Sequence, residues 1–223
     1  MPDYKAPLRD MRFVLNEVLD LDGHYASLGL EDINSELLNA FLEEGAKFSE
    51  NELAPLNRSG DEEGCGFDNG VVTTPKGFKE AYTKYVEGGW PAMGGDPEFG
   101  GQGLPGSAGI AISEMTGSAN WSWSMYPGLS HGAVATIEEH GTDEQKNGYL
   151  PKLTSGEWTG TMCLTEPSCG SDLGILKSKA EPNADGSYSI TGTKIFSLFR
   201  PVFRAKACGF CPKLCKYFVF AVI

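Results

Sequence analysis

Met162-Cys-Leu-Thr-Glu-Pro-Ser-Cys-Gly-Ser-Asp172 is the stretch on which the reading of this chain turns. The residues leading into it, Glu157-Trp-Thr-Gly-Thr-Met-Cys-Leu-Thr165, are rich in threonine and apolar side chains. Alternation puts Trp158, Met162 and Leu164 on one face, so a strand is expected over Glu157–Thr165. Pro167 breaks it and Gly170 follows. A strand that runs into a Pro/Gly/Ser loop leaves N–H groups and hydroxyls without ladder partners, and such donors suit an anion. Thr165, at the strand's end, is placed to offer its hydroxyl to a planar cofactor. The competing reading is an ordinary strand that closes in a Pro-Gly turn.

Leu164, Thr165, Glu166, Gly170, Ser171 and Asp172 together resemble the first signature of the acyl-CoA dehydrogenases, a match far more specific than a lone glycine motif. The resemblance implies a flavoenzyme that binds FAD and desaturates acyl-CoA thioesters. It implies that Met162, Cys163, Leu164 and Thr165 line the flavin ring, with Thr165 near its N5/O4 edge. Gly170 and Ser171 would face the FAD pyrophosphate, and Ser171 also the CoA side of the substrate. Thr191-Gly-Thr-Lys-Ile-Phe196 resembles the family's second flavin-contacting segment, in which Phe196 takes the place of the aromatic residue on the ring. Ser197 and Leu198 no longer follow that pattern.

Composition sets the limits. The 223 residues carry a formal charge of −12, which disfavours a nucleic-acid partner and an anionic membrane surface. No apolar run approaches membrane-spanning length, and Met1-Pro-Asp-Tyr-Lys5 lacks the apolar core of a signal peptide. Cys65, Cys163, Cys169, Cys208, Cys211 and Cys215 show no secreted spacing, so reduced thiols in a cytoplasmic protein are expected.

The expected fold class is α+β, a helical N-terminal domain followed by the start of a β-sheet domain. Residues 1–33 read as an arm, 34–156 as the helical domain, 157–196 as the first strands and 197–223 as an anomalous tail. In the arm, Met11, Leu15, Val18 and Leu19 form one stripe of a docking helix. The arm resembles the N-terminal extension of the bacterial branch of the family that includes 3-(methylthio)propanoyl-CoA dehydrogenases. Asn34 or Ser35 caps a helix expected to run through Glu52 and to stop at Pro55, with Glu43, Glu44, Glu50 and Glu52 on a solvated face. Asp61–Asn69 reads as an acidic loop whose spacing fits no EF-hand. Thr74-Pro75 opens the next helix, which Gly88-Gly89 stops.

Asp96-Pro-Glu-Phe-Gly-Gly-Gln-Gly-Leu-Pro105 resembles a connecting loop of the same family. Because no strand precedes its glycines, a dinucleotide turn is not expected. A long helical stretch over 107–140 follows, interrupted or flanked by Trp121–Tyr126. Ser130, His131, Glu138 and His140 tempt a hydrolase reading, but no nucleophile elbow accompanies them, and His131 is expected to be packed. Thr142-Asp-Glu-Gln145 is a capping box. Strand patterns at 177–181 and 188–191 flank an Asp185-Gly186 hairpin turn.

The tail is different text. All 30 acidic residues precede Ser197 together with 13 of the 18 bases, so residues 1–196 carry −17 and the last 27 carry +5. Cys208, Cys211 and Cys215 make a weak zinc case without a nearby histidine, and no metal is expected. Tyr217–Ile223 is β-prone. A shifted reading frame or misjoined gene is the expected origin of this segment. In the family, a C-terminal helical bundle supplies the glutamate base that takes the α-proton while hydride leaves the β-carbon for flavin N5. No counterpart is visible here, so no catalytic residue is assigned, and the chain alone is expected to be an inactive fragment that folds poorly. The resemblance further implies acyl-CoA as substrate, electron-transfer flavoprotein as acceptor and a homo-oligomer when complete. The reading of a different class is a non-enzymatic helical interaction module that binds no FAD.

Overall fold

The computed structural model describes residues 3–69, 71–185 and 187–195, and the backbone of 220–222. They form two compact units: 3–66 with 74–97 and 101–125, and 67–73 with 98–100 and the residues from 126 onward. Phe196 and Cys208, Cys211 and Cys215 lie outside the described residues.

The arm comprises α1 (Leu8–Arg12), a π-helical turn (Phe13–Val18) and α2 (Leu21–Ser27). Met11 is buried and Leu15 packs on the cluster Leu21, Tyr25, Leu38 and Ala108. Val18 and Leu19, expected on the same stripe, are 60% and 54% exposed. The i→i+5 turn is the reason: it carries an extra residue, so positions one turn ahead rotate off the face. Glu50 straps the arm down, accepting from Lys5 Nζ at 2.6 Å and from the Ala6 N–H at 2.9 Å.

The acidic face of the next helix is not the plain solvated run expected from sequence. Glu43 pairs with Arg12, Glu44 with Lys47, Glu50 with Lys5 and Glu52 with Lys84. Exposed pairs of this kind contribute at most about 1 kcal/mol each, so burial of Met11 and Leu15 contributes more to docking than the charges.

Helix α3 (Ser35–Phe48) starts at Asn34, whose side chain accepts from the Leu37 N–H at 3.0 Å. It does not stop at Pro55. A π turn (Ser49–Leu53) leads into α4 (Ala54–Glu63). Pro55 stands in the first turn of that new segment, where a missing N–H costs little. Asp61–Glu63, expected in a loop, are therefore helical, and Gly66–Asp68 (β1) pairs with Val71–Thr73 (β2) in a short two-stranded sheet. Helix α5 (Phe78–Glu87) begins after Pro75-Lys-Gly77 and ends at Gly88.

Residues 89–105 form a loop with two 3₁₀ turns, Trp90–Ala92 and Pro97–Phe99. Then come α6 (Gly106–Ala119) and α7 (Trp121–His140), so Trp121–Tyr126 opens a helix instead of interrupting one. The break falls at Asn120, which is buried; its Oδ1 accepts from the Trp123 N–H at 3.0 Å, while its Nδ2 donates to the Leu53 carbonyl at 3.3 Å. His131 stands at an exposed position of α7, yet the protein around its ring desolvates it and lowers its pKa, so it is neither fully packed nor free in solvent. Helix α8 (Asp143–Thr154) carries the expected capping box between Thr142 and Gln145.

In the first unit an aromatic group fills the core. Trp123, fully buried, sits with its ring centroid 5.5 Å from Tyr85 and 5.7 Å from Phe48, both edge-on, and its Nε1–H donates to the Phe78 carbonyl at 3.1 Å. Burial pushes the Tyr82 phenol up to about 12 and the Tyr85 phenol higher still, so neither ionises in the working range. The second unit has its own cluster, Ile137, Leu150 and Leu153, flanked by Phe99, Val134, Tyr149 and Trp158.

The strand expected over Glu157–Thr165 is only three residues long, β3 (Gly160–Met162), paired antiparallel with β6 (Phe220–Val222), so Thr161 lies opposite Ala221. The hairpin beyond it forms as read, with β4 (Lys179–Pro182) antiparallel to β5 (Tyr188–Thr191) and Lys179 opposite Thr191.

Candidate functional site

Strand β3 is held against α7 where it begins. The Gly160 N–H donates to Ser130 Oγ at 3.0 Å, and a Cβ at Gly160 would lie 2.5 Å from that of Ala133. Only glycine fits there, which brings the start of the signature stretch down onto the helix. Cys163, Leu164 and Thr165 then leave the ladder. The Leu164 carbonyl accepts from Lys194 Nζ at 3.0 Å and the Thr165 carbonyl from the Ile195 N–H at 2.9 Å. Sequence alternation extends the strand through these residues because it sees side chains, not the lysine that takes the backbone acceptor.

Glu166 is the hub of the loop. The residue is 4% exposed, and its carboxylate receives the Lys177 N–H at 2.7 Å, the Ser178 N–H at 3.0 Å and Lys194 Nζ at 2.9 Å. Its own backbone exchanges two hydrogen bonds with Cys169, at 2.8 and 3.1 Å, across the Pro167-Ser168 corner. Lys194 above all, then Ser178 and the Lys177 N–H, bring the Glu166 carboxyl down to about 2. A buried carboxylate with three donors meets the condition under which such burial is tolerated.

The stability contributed by this carboxylate is expected to depend on pH. The folded value lies below the ordinary one, so the network's contribution is fully present above about 4.5 and is lost as pH falls through about 2. The difference in melting temperature between wild type and Glu166→Gln is expected to be constant above pH 5 and to shrink steadily below it. A difference that does not change between pH 6 and pH 3 would remove the ionised Glu166 from the account.

Around this hub, Met162, Cys163, Leu164 and Thr165 are half-buried, and Gly170 and Ser171 are exposed. The side chain of Thr165 lies beside Gly170: a Cβ there would be 3.4 Å from Thr165 Cγ2 and 3.8 Å from Oγ1. Among the described residues the Gly170 and Ser171 N–H groups have no hydrogen-bond partner. The Asp172 carboxylate is turned back to the Gly174 N–H at 3.0 Å. A half-buried apolar edge therefore leads into two open N–H donors and two hydroxyls. This donor set fits a group with a planar apolar ring and an anionic tail, as FAD has. No group of His, Cys, Asp and Glu suited to a metal occurs among the described residues, and none of their helices is long and apolar enough to cross a membrane.

Residues 35–157 match the acyl-CoA dehydrogenase N-terminal domain family. The chain belongs to the acyl-CoA dehydrogenase family. Among curated relatives, the 3-methylmercaptopropionyl-CoA dehydrogenase of Ruegeria pomeroyi is 41% identical over 196 residues, covering 88% of this chain and 33% of the relative. The broad-specificity linear acyl-CoA dehydrogenase FadE5 of Mycobacterium tuberculosis is 33% identical over 88% of this chain and 32% of its own length. This acyl-CoA dehydrogenase chain thus spans about one third of the length of the curated relatives it matches. Among solved structures, the Bacillus anthracis acyl-CoA dehydrogenase complexed with FAD aligns with a TM-score of 0.61 at 28% identity, over 75% of this chain and 27% of that one. Butyryl-CoA dehydrogenase of Megasphaera elsdenii shares the fold, with a TM-score of 0.61 at 24% identity over 74% of this chain and 41% of its own.

The described site residues Met162 to Thr165, Gly170 and Ser171 fall in one contiguous segment around Glu166. Sequence reasoning missed Lys194, Lys177, Ser178 and Gly192. A Cβ at Gly192 would fall 2.0 Å from Ser178 Oγ and 2.9 Å from Ser178 Cα, so this glycine lets the end of the hairpin close on the residue that caps Glu166. Lys194 lies within Thr191–Phe196, where the family resemblance singles out the aromatic residue and not the lysine. A buried glutamate in the signature was the signal that a cation had to be found.

Proposed function

We propose that this chain is the flavin-bearing N-terminal portion of an FAD-dependent acyl-CoA dehydrogenase that introduces an α,β double bond into an acyl-CoA thioester. One observation supports the reading most: the signature residues form a tied loop that leaves the Thr165 and Ser171 hydroxyls and the Gly170 and Ser171 N–H groups available on one segment. Met162, Cys163, Leu164 and Thr165 would lie along the ring, and Gly170 and Ser171 would hold the pyrophosphate, Ser171 also meeting the CoA portion of the substrate. Phe196 belongs to the same proposed set. When bound, FAD supplies the two-electron acceptor. The chain's residues supply apolar cover, which keeps water from the ring, and fixed donors, which orient it. Acyl-CoA is the proposed substrate and electron-transfer flavoprotein the proposed acceptor, in a cytoplasmic homo-oligomer.

The first test is colour. Purified protein is expected to be yellow and to release flavin on heating; colourless protein that takes up no FAD would favour the helical interaction module. Thr165→Val removes one hydroxyl and is expected to weaken FAD binding by about 1 kcal/mol, roughly fivefold. Unchanged flavin affinity and absorbance in that variant would withdraw Thr165 from the site.

No general base is assigned among the described residues. Residues 1–223 by themselves are therefore expected to show no turnover with a dye acceptor and butyryl-, octanoyl- or 3-methylthiopropanoyl-CoA, since a positioned base is worth about 10² to 10⁴-fold. An active 223-residue protein would mean that a described carboxylate fills that role.

A further inference from the structure

We infer that Lys194 is a positioning residue for Thr165: with Ile195 it fixes the peptide planes on both sides of the Thr165 Cα, and so the direction in which the hydroxyl is presented. The inference rests on the reading of Thr165 as a flavin contact.

Two torsions decide where the Thr165 side chain points. One sets the preceding peptide plane, which contains the Leu164 carbonyl; the other sets the following plane, which contains the Thr165 carbonyl. Lys194 Nζ holds the first at 3.0 Å, and the Ile195 N–H holds the second at 2.9 Å. Two consecutive residues of the segment after β5 thus clamp the two planes that flank one Cα. With both planes fixed, the Cα–Cβ bond has no remaining freedom. Only the χ1 rotamer is left, and a β-branched side chain has few of those.

A free lysine would not hold a carbonyl so well. Its ammonium sits on a flexible four-carbon stem with three donors. Here Glu166 restrains it: the carboxylate accepts from Nζ at 2.9 Å while itself held by the Lys177 and Ser178 N–H groups. The lysine is 19% exposed and the glutamate 3% by side chain, so water competes little for either group. Glu166 orients Lys194, and Lys194 orients the Leu164–Thr165 peptide. Glu166 also pairs through its backbone with Cys169, just before Gly170, so the same hub sets the approach of Gly170 to Thr165.

The test uses the 223-residue chain, wild type and with Lys194→Met, Lys194→Arg and Glu166→Gln. The first readout needs no cofactor: the three-bond N–H to Hα coupling of Thr165 and exchange of the Ile195, Cys169 and Ser178 amides. Lys194→Met is expected to average the Thr165 coupling and to speed exchange at Ile195 about tenfold or more, with α5 and α6 amides unchanged. Lys194→Arg is expected to restore both. Glu166→Gln, which keeps shape and an acceptor, is expected to shift the same signals less. The second readout is FAD titration followed by visible circular dichroism, where Lys194→Met is expected to weaken binding about tenfold and change the flavin band shape.

A Thr165 coupling and Ile195 exchange unchanged in Lys194→Met overturn the inference. So does unchanged FAD binding and band shape despite a loosened Thr165. If Lys194→Met fails to fold, an unaltered Thr165 in Glu166→Gln overturns it. A wild-type chain that binds no FAD defeats the proposed function instead, and the coupling and exchange measurements still decide whether Lys194 clamps Thr165.

Discussion

Replacing Trp123 by alanine is expected to lower the stability of the first unit by about 3–5 kcal/mol, the usual cost of deleting a large buried aromatic. Trp123 has no exposed surface, and it touches Phe48, Tyr82 and Tyr85 at centroid distances of 5.5 to 6.5 Å. Its loss opens a cavity among rings that are anchored on two different helices and cannot all move in. It also leaves the Phe78 carbonyl without the indole N–H. Trp123→Phe separates the two losses, since it keeps a ring but removes the donor, and should cost about 1–3 kcal/mol. Urea melts followed by far-ultraviolet circular dichroism give both numbers. If Trp123→Ala costs less than Trp123→Phe is expected to, the aromatic group is not the keystone of this core.

Gly101→Ala is expected to lie at or above the upper end of the roughly 1–3 kcal/mol that overpacking costs. A Cβ on Gly101 would fall 1.9 Å from the Gly95 carbonyl oxygen and 2.0 Å from its carbon. Those are backbone atoms, so no rotamer change relieves the overlap. Nor can the loop shift cheaply, because backbone bonds lace it: Gly101 N–H to Asp96, Gln102 N–H to Ala92, Gly103 N–H to Gly95 and Leu104 N–H to Met93, all between 2.8 and 3.0 Å. Gly106→Ala is the control. Nothing lies within 4 Å of a Cβ there and the residue is helical, so that change should be neutral or stabilising by up to about 1 kcal/mol. Equal melting temperatures for the two variants would show that the loop yields where the geometry says it cannot.

These glycines illustrate what was legible in the sequence. The loop over 89–105 could be read from its glycines, but not which of them is crowded, because that depends on Gly95 folding back across five residues. Helix starts were plain where a side chain caps its own chain, as at Asn34 and Thr142, since the signal and the bond lie within three residues. Helix continuity was not. Proline reads alike as a terminator and as a first-turn residue, so Pro55 hid the junction of α3 and α4. The signature was legible as a motif that includes Glu166. Its partners were not, because Lys194 lies 28 residues away and enters through a side chain, a contact that no local pattern encodes. The same distant side chain shortens β3, since Lys194 takes the Leu164 carbonyl that a longer strand would offer to a ladder.

The π turn at Ser49–Leu53 has an evolutionary reading. A helix that accommodates one surplus residue as a wider turn has absorbed an insertion without making a loop. Residues before it, such as Leu42 and Ala46, and after it, such as Gly60 against Phe78, keep their inward positions although the count between them is out of step with a regular helix. Removing a single residue between Ser49 and Leu53 would restore regular winding and leave the downstream positions in register, because the wider turn takes up the rotation of about 100° that one extra residue would otherwise impose. Gly60 would then keep its place against Phe78. The place where two related chains differ by one residue in length is therefore to be sought inside this helix, not in the loops that flank it.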